Sequence, residues 1–534
     1  MTAPRKPAGR TLAEFELQGL SLAEQKLLEH CRLGTVADIS AERPEAATDD
    51  NTVRAAFLRF LALGGDEQAP VHEHGVQLVG AWIEGVLDME AARILSDLTI
   101  KACYFDKSPL FSRARIAGTL DLSDCDLLNF SGDSLVCDGD LLLCRCLSSF
   151  LGVRLMNAQI GGNLQCNGAK FDGDGGVALL ADHVVIKGSV FLSDGFSATG
   201  KVRLQSAQIA GNLVCDGAKF DGKDGDALSA DGMIVEGTFF FRNLAPSVNG
   251  VFLAASHVGC LADDKDSWGE RLVLDGFVYG GIIGVACKAP TDAATRLAWL
   301  DKQRPEHAGL NGDGADFRPQ PWRQLAKVLR EMGHAEDARQ VAIAFEHRLR
   351  RASLVRYPLI HWLFGIFTGY GYRPMRLLIS IVVVWLFCAM FYWYAAAGQG
   401  VFAPSNPLVF QNPNYAVCAP GYVVPAPQAE NAAPPTVQGA GNWYLCEKLP
   451  EEYSGFSPLA YSLDVILPLV DLQQETSWSP LVPTPKAVWY QELFSFCDWK
   501  HFTRLVLWFE ILFGWVSSLL LVAVVSGLTK RREE

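Results

Sequence analysis

The sequence predicts a mainly β fold: a right-handed parallel β-helix (solenoid) with a helical N-terminal cap, a C-terminal helical hairpin and two transmembrane helices. Three observations predict it. A sixteen-residue string recurs almost unchanged at an offset of 49 residues. Short strand-like runs punctuated by Gly and Asp fill residues 75–290. Two uncharged stretches near the C-terminus are long enough to cross a bilayer.

A chain of 534 residues is too long for one compact core and divides into two or three regions. Its formal net charge of -13 speaks against nucleic acid as a partner, because a phosphate-binding surface needs clustered Lys and Arg. Met1 to Gly19 lead into no apolar run of signal-peptide length, so the N-terminal region is expected inside the cell. Ten of the 14 cysteines precede residue 300: Cys31, Cys103, Cys125, Cys137, Cys144, Cys146, Cys166, Cys215, Cys260 and Cys287. In a reducing compartment, thiols scattered in this way are expected to serve as small buried fillers. No CxxC pair occurs, and Cys144 and Cys146 fall on opposite faces of a strand.

Residues 1–74 read as the helical N-terminal cap, with apolar positions at helical spacing over Leu12 to Arg32 and Asn51 to Leu63. A solenoid needs a cap because its terminal coil otherwise leaves backbone groups unpaired and its apolar core open.

Residues 75–290 are the repeat domain. Ala158-Gln-Ile-Gly-Gly-Asn-Leu-Gln-Cys-Asn-Gly-Ala-Lys-Phe-Asp-Gly173 returns as Ala207-Gln-Ile-Ala-Gly-Asn-Leu-Val-Cys-Asp-Gly-Ala-Lys-Phe-Asp-Gly222. Between the copies lies Val185-Ile-Lys-Gly-Ser-Val-Phe-Leu192, which itself returns as Ile234-Val-Glu-Gly-Thr-Phe-Phe-Phe241, so each 49-residue unit is two coils. The kernel I-x-G-x-L also occurs in Ile83-Glu-Gly-Val-Leu87 and Ile116-Ala-Gly-Thr-Leu120. Stacking at about 4.8 Å per coil places Ile160 two rungs from Ile209, with Leu164 and Leu213, Cys166 and Cys215, and Phe171 and Phe220 in parallel inward ladders. Asp172-Gly-Asp-Gly-Gly-Val177 and Asp221-Gly-Lys-Asp-Gly-Asp226 have the look of calcium loops but lack the terminal bidentate Glu, so solvated turns are the better account.

Residues 291–356 return to a helical pattern. Trp322 to Gly333 and Ala335 to Glu346 form an antiparallel hairpin of tetratricopeptide type, expected to cover the last coil. Residues 357–376 are an interfacial segment, with Trp362, Phe364, Phe367 and Tyr370 along the membrane surface. The first span is 377–397 and the second 505–528, the latter containing the uncharged run Ile511 to Leu528. Arg348, Arg350, Arg351, Arg356, Arg373 and Arg376 precede the first span. Lys530, Arg531 and Arg532, in the tail 529–534, follow the second, so both ends are expected in the cytoplasm.

The connecting loop, 398–504, is then extracytoplasmic, and Cys418 and Cys446 are candidates for a disulfide there. Ser457 and Pro458 open a short helix over 457–472, which either enters the membrane as a re-entrant helix or packs against the spans, the second being preferred. If it enters, Asp464, Asp471 and Glu510 are candidate pore carboxylates of an oligomer. Glu510 is expected near the boundary, in reach of water.

The I-x-G-x-L kernels, Leu272-Val-Leu-Asp-Gly-Phe-Val-Tyr279, Trp322-Arg-Gln-Leu-Ala326, Asp337-Ala-Arg339, Gly369-Tyr-Gly-Tyr-Arg-Pro374 and Tyr461-Ser-Leu-Asp-Val-Ile-Leu-Pro468 carry a resemblance over nearly the whole chain. The chain resembles a bacterial membrane-associated family, whose members sometimes bear the label membrane-associated oxidoreductase and whose solenoid is similar to pentapeptide-repeat proteins. The resemblance implies this topology in a bacterial plasma (inner) membrane, and it implies no catalytic residue. No G-x-G-x-x-G fingerprint, haem pattern or iron–sulfur cysteine pattern occurs, so no cofactor is assigned. His72-Glu-His74 reads as surface polar groups rather than a metal pair.

The expected function is a membrane-tethered cytoplasmic binding or scaffold module, with the lipid bilayer as one partner and a protein on the solenoid face as the other. A homo-oligomeric two-span ion channel with a cytoplasmic sensor domain is the alternative. A membrane-associated oxidoreductase, resting on the family label, is the third reading.

Overall fold

A computed structural model describes residues 11–148, 151–223, 225–246, 248–284, 289–310, 316–422, 437–482 and 498–526. They fall into two compact units, Met1–Arg356 and Tyr357–Glu534.

The first unit is a parallel β-solenoid of about nine turns. Its coils have four short sides, the cross-section that repeat spacing alone left open. In the coil that begins at Arg115 the sides are Arg115–Ile116, Leu120–Asp121, a bridge at Asp126, and Phe130–Ser131, each paired in parallel with the next coil. Inward residues stack as ladders. Ile116, Cys137, Ile160, Ile186, Ile209 and Val235 follow one another in register, and Leu120, Leu141, Leu164, Val190, Leu213 and Phe239 form the adjacent column. All are buried, so one apolar core runs along the rod. The 49-residue unit is one 26-residue coil and one 23-residue coil. The longer coil carries the Asp172 turn or its copy. In these turns Asp172 accepts from the backbone N–H of Asp174 at 2.9 Å and Asp221 from that of Lys223 at 3.1 Å, so both carboxylates close their own turns.

One corner explains the I-x-G-x-L kernel. Gly118, Gly139, Gly162, Gly188, Gly211 and Gly237 stack there, and from Gly139 onward each N–H donates to the carbonyl of the glycine one coil earlier. A Cβ on Gly188 would lie 2.6 Å from the Gly162 oxygen, and one on Gly237 would lie 2.7 Å from the Gly211 oxygen. The residue after the glycine continues the corner: the Asn163 side chain accepts from Ser189 N–H at 2.9 Å and Asn212 from Thr238 N–H at 2.8 Å. The match at Ile83 is corrected, because Ile83 pairs with Phe105 on another side of the coil. The register partner of Ile116 is Ile94.

Among the described residues the N-terminal cap has three helices, α1 (Leu12–Leu17), α2 (Leu22–Leu33) and α3 (Ala55–Ala62). The helical spacing over Leu12 to Arg32 resolves into two helices, broken at Gly19, with φ of 77°, before Ser21 and Glu24 form a capping box on α2. Thr52–Arg54, expected as helix, is a strand paired with Trp82–Glu84, and Ala37–Asp38 pairs with Leu78 and Val79. The exposed edge of the first coil needs extended partners for its backbone groups, a demand that overrides the helical spacing. The buried Glu24 carboxylate binds the Arg54 guanidinium at 2.7 and 2.8 Å, fixing α2 to this strand.

At the other end stand α4 (Ala293–Leu300), α5 (Gln320–Glu331) and α6 (Ala335–Arg351). The α5–α6 hairpin covers the last coil. Gln320 accepts from Gly276 N–H and donates to Phe277 O, both at 3.0 Å, while Gln324 donates to Tyr279 O at 2.7 Å. Side-chain amides thus occupy the edge where another strand would pair.

The second unit contains α7 (Pro358–Thr368), α8 (Pro374–Gln399), α9 (Pro407–Phe410), α10 (Pro458–Ile466), α11 (Gln474–Ser477) and α12 (Trp499–Val525). With mean hydropathies of 2.2 and 2.1, α8 and α12 are long and apolar enough to cross a membrane. Between them, Phe402–Pro404 pairs antiparallel with Trp478–Pro480. The helix expected over 457–472 ends at Ile466, because Pro468 drives Leu467 out of the helical region, to φ -100° and ψ 93°.

Candidate functional site

The side of the solenoid that carries the isoleucine column is open on its outer face. Val136, Gln159, Val185, Gln208, Ile234 and His257 form its outward row in unbroken register, all but the half-buried Val136 exposed. β-Branched residues therefore recur on every second rung, about 9.6 Å apart, with a polar side chain between. Two residues further along each strand, the small Gly161, Ala210 and Gly259 alternate with the exposed charged Asp138, Lys187 and Glu236. Elsewhere on the rod, charges pair from coil to coil: Arg145 with Asp124 and Arg154 with Asp133 at 2.6 Å, Arg242 with Asp216 at 2.7 Å, and Arg203 with Asp182. The open side can thus offer apolar contacts, side-chain hydrogen bonds and single charges at a fixed pitch. The repeat string held the signal, since Gln159 and Gln208 directly precede the inward isoleucines, yet their outward role follows only once the side of the coil is known.

A cleft of about 490 Å³ lies near the C-terminal end of the solenoid, lined by Trp268, Asp266, Glu270 and Lys302 among others. The Lys302 amine donates to the Trp268 carbonyl. Burial pulls it below its ordinary pKa, against the opposing pull of Asp266, Asp264 and Glu270. Close by, Asp263 accepts two hydrogen bonds from the buried Arg296 and one from the Trp268 indole, all at 2.7 Å.

The three candidate pore carboxylates have separate partners. Asp464 accepts from the backbone N–H groups of Leu472, Gln474 and Glu475 at 2.6, 2.9 and 2.9 Å, so it closes the chain reversal after α10 and caps α11. Asp471 is exposed and accepts from Gln473 N–H at 2.8 Å. Glu510 overturns the expectation of a boundary group in reach of water: it is 0% exposed. The Tyr392 hydroxyl donates to it at 2.7 Å, and the Ser462 hydroxyl is hydrogen-bonded to its other oxygen. The sequence signal for Ser462 is its place two residues before Asp464 in the short helix, which does not by itself show that its hydroxyl faces Glu510.

Cys418 and Cys446 are joined by a disulfide. The His72 and His74 rings lie 4.4 Å apart at the surface, and among the described residues no group of three or more His, Cys, Asp or Glu is placed to hold a metal ion. Cys287, Cys497, Lys530, Arg531 and Arg532 lie outside the described residues. Comparison with protein-family models, with curated proteins and with solved structures finds no match to this chain.

Proposed function

We propose that the chain is a membrane-tethered cytoplasmic β-solenoid that acts as a binding or scaffold module, engaging a protein partner along the open side of the rod. The observation that carries this reading is the unbroken outward row from Val136 to His257, where the β-branched Val136, Val185 and Ile234 alternate with the polar Gln159, Gln208 and His257 on a parallel sheet. A rigid surface with a fixed repeat suits an extended partner, since little of its own freedom is lost on binding.

The proposed location is a bacterial plasma membrane with both termini inside. It is supported by an asymmetry of thiols. The nine described cysteines of the first unit are free, including Cys103, Cys125 and Cys146 in successive coils, whereas the loop between the two apolar helices holds a disulfide. Disulfides persist in oxidising compartments and are rare in the cytosol. A pore lined by Asp464, Asp471 and Glu510 draws less support, because Asp464 is taken up by three backbone donors and Glu510 by side chains of its own chain. The oxidoreductase reading rests on the family label alone.

The test is site-specific photo-crosslinking in native membranes, with the photoreactive residue at Gln208 or His257 and, as control, at Arg145. The expected result is one discrete adduct at both open-side positions and none at the control. Equal labelling at all three, or none at the open side, overturns the reading.

A further inference from the structure

Residues 457–474 leave and return at one place. Ser457 N–H donates to the Gln474 side chain at 3.0 Å, and that side chain also reaches Ser454. The far end of α10 lies against α12 so closely that a Cβ on Gly514 would be 2.2 Å from the Ile466 oxygen. Gly514 is past the midpoint of α12, and Trp385, near the midpoint of α8, donates its indole N–H to Leu459 O at 3.0 Å. At the tip, Leu469 is 92% exposed and lies two residues from the exposed Asp471. These contacts describe a hairpin that enters between the two apolar helices and turns back at about half their length.

Glu510 stands at this joint, and the hydrogen bonds around its carboxyl bear on its protonation. One carboxyl oxygen accepts from the Tyr392 hydroxyl at 2.7 Å. The other is hydrogen-bonded to the Ser462 hydroxyl, which is also placed to donate to the Trp385 carbonyl at 3.0 Å. A serine hydroxyl has one proton, while a carbonyl and an ionised carboxylate are both acceptors only. All three contacts are satisfied together when the carboxyl carries a proton and donates it to Ser462, which in turn donates to Trp385. Among the described residues, the titratable groups around the joint are Tyr392 and Cys388 on α8, Tyr461 and Asp464 on α10, and Glu475 on α11, none of them cationic. A carboxylate inside a span without a cation is costly, and a neutral acid avoids that cost.

We propose that Glu510 is a proton-binding site within the membrane-spanning unit, and that its neutral acid is the form that fastens the 457–474 hairpin between the spans. When the proton leaves for solvent, the single Ser462 proton turns from Trp385 to Glu510. The hairpin then loses one of its two hydrogen bonds to the Trp385 residue of α8. This site does not depend on what the solenoid binds.

The test is infrared spectroscopy of the full chain in nanodiscs at neutral pH, followed by a pH titration with hydrogen exchange. A protonated-carboxyl carbonyl band is expected, lost in Glu510→Gln and kept in Asp464→Asn. Ser462→Ala should move the band to higher frequency, because the acid loses its acceptor. Tyr392→Phe, which leaves both the acid and Ser462 in place, should also shift it. As the band disappears on raising pH, the amides of 458–466 should exchange faster. The proposal is overturned by a wild-type spectrum without the band, by a band that survives Glu510→Gln or ignores Ser462→Ala, or by exchange that does not change as the band is lost.

Discussion

Gly188 stands where two coils approach at a corner, and its carbonyl and N–H both belong to a column of glycines. A methyl group there would sit 2.6 Å from the Gly162 oxygen and 2.4 Å from the Asn163 side chain, so the coils must part or the side chain must leave Ser189. Gly188→Ala is expected to cost roughly 1–3 kcal/mol, in the range of overpacked cores, and to lower the unfolding midpoint of the solenoid. Gly281→Ala is the matched control, since the nearest atom to its Cβ is the Cys260 sulfur at 3.9 Å, and it should leave the midpoint unchanged. The recurrence of these glycines was readable as a string, but the reason for them was not. Gly85 satisfies the same string on another side of the coil, and only pairing register separates the two. Asp263 was invisible in the sequence for a related reason, because its partner Arg296 belongs to a helix beyond the last coil. Removing the carboxylate with Asp263→Ala strands a guanidinium that is 1% exposed. A cost of about 3–5 kcal/mol is expected for breaking such a buried pair, measured by denaturant unfolding monitored at the adjacent Trp268 and Trp299.

Single elements were legible where one periodicity governed them and less so where a neighbour imposed its own geometry. The α5–α6 hairpin follows its 3.6-residue pattern, and Gln320 and Gln324 in α5 take the additional task of pairing the open strand edge. Thr52–Arg54 sits in an apolar pattern that fits a helix, yet the first coil needs an extended partner and the strand wins. α10 stops two residues short of Pro468, as the restriction on a pre-proline residue dictates. What spacing did not reveal is that Gly514, inside an apolar helix, serves a backbone crossing. Small residues in membrane helices permit such close approach. Gly514→Leu is therefore expected to push the far end of α10 off α12, with faster amide exchange over 458–466 while the exchange of α8 and of the remainder of α12 stays as in the parent. Equal protection of 458–466 in the variant would show that the contact is dispensable.

Across the whole molecule, the two units differ in how their cysteines are held, and this difference bears on topology more directly than hydropathy does. The first unit keeps Cys103, Cys125 and Cys146 in neighbouring coils as free thiols, and burial raises the Cys125 and Cys146 values far above the ordinary range, which leaves those two inert. The second unit links Cys418 to Cys446, tying the 3₁₀ turn Pro413–Cys418 to a segment otherwise short of regular structure. If the solenoid faces the cytoplasm and the loop faces outward, protein denatured without reductant should add a maleimide at each solenoid cysteine but not at Cys418 or Cys446. Addition at those two should require prior reduction. Cys446→Ser should then leave the solenoid melt unchanged while destabilising the loop by about 2–5 kcal/mol, the usual effect of losing a native disulfide, read as protease cleavage confined to the segment between α8 and α12. Maleimide addition at Cys418 and Cys446 without reductant would place that loop in a reducing compartment and reverse the proposed orientation. Altered melting of the solenoid in Cys446→Ser would instead mean that the two units do not unfold independently.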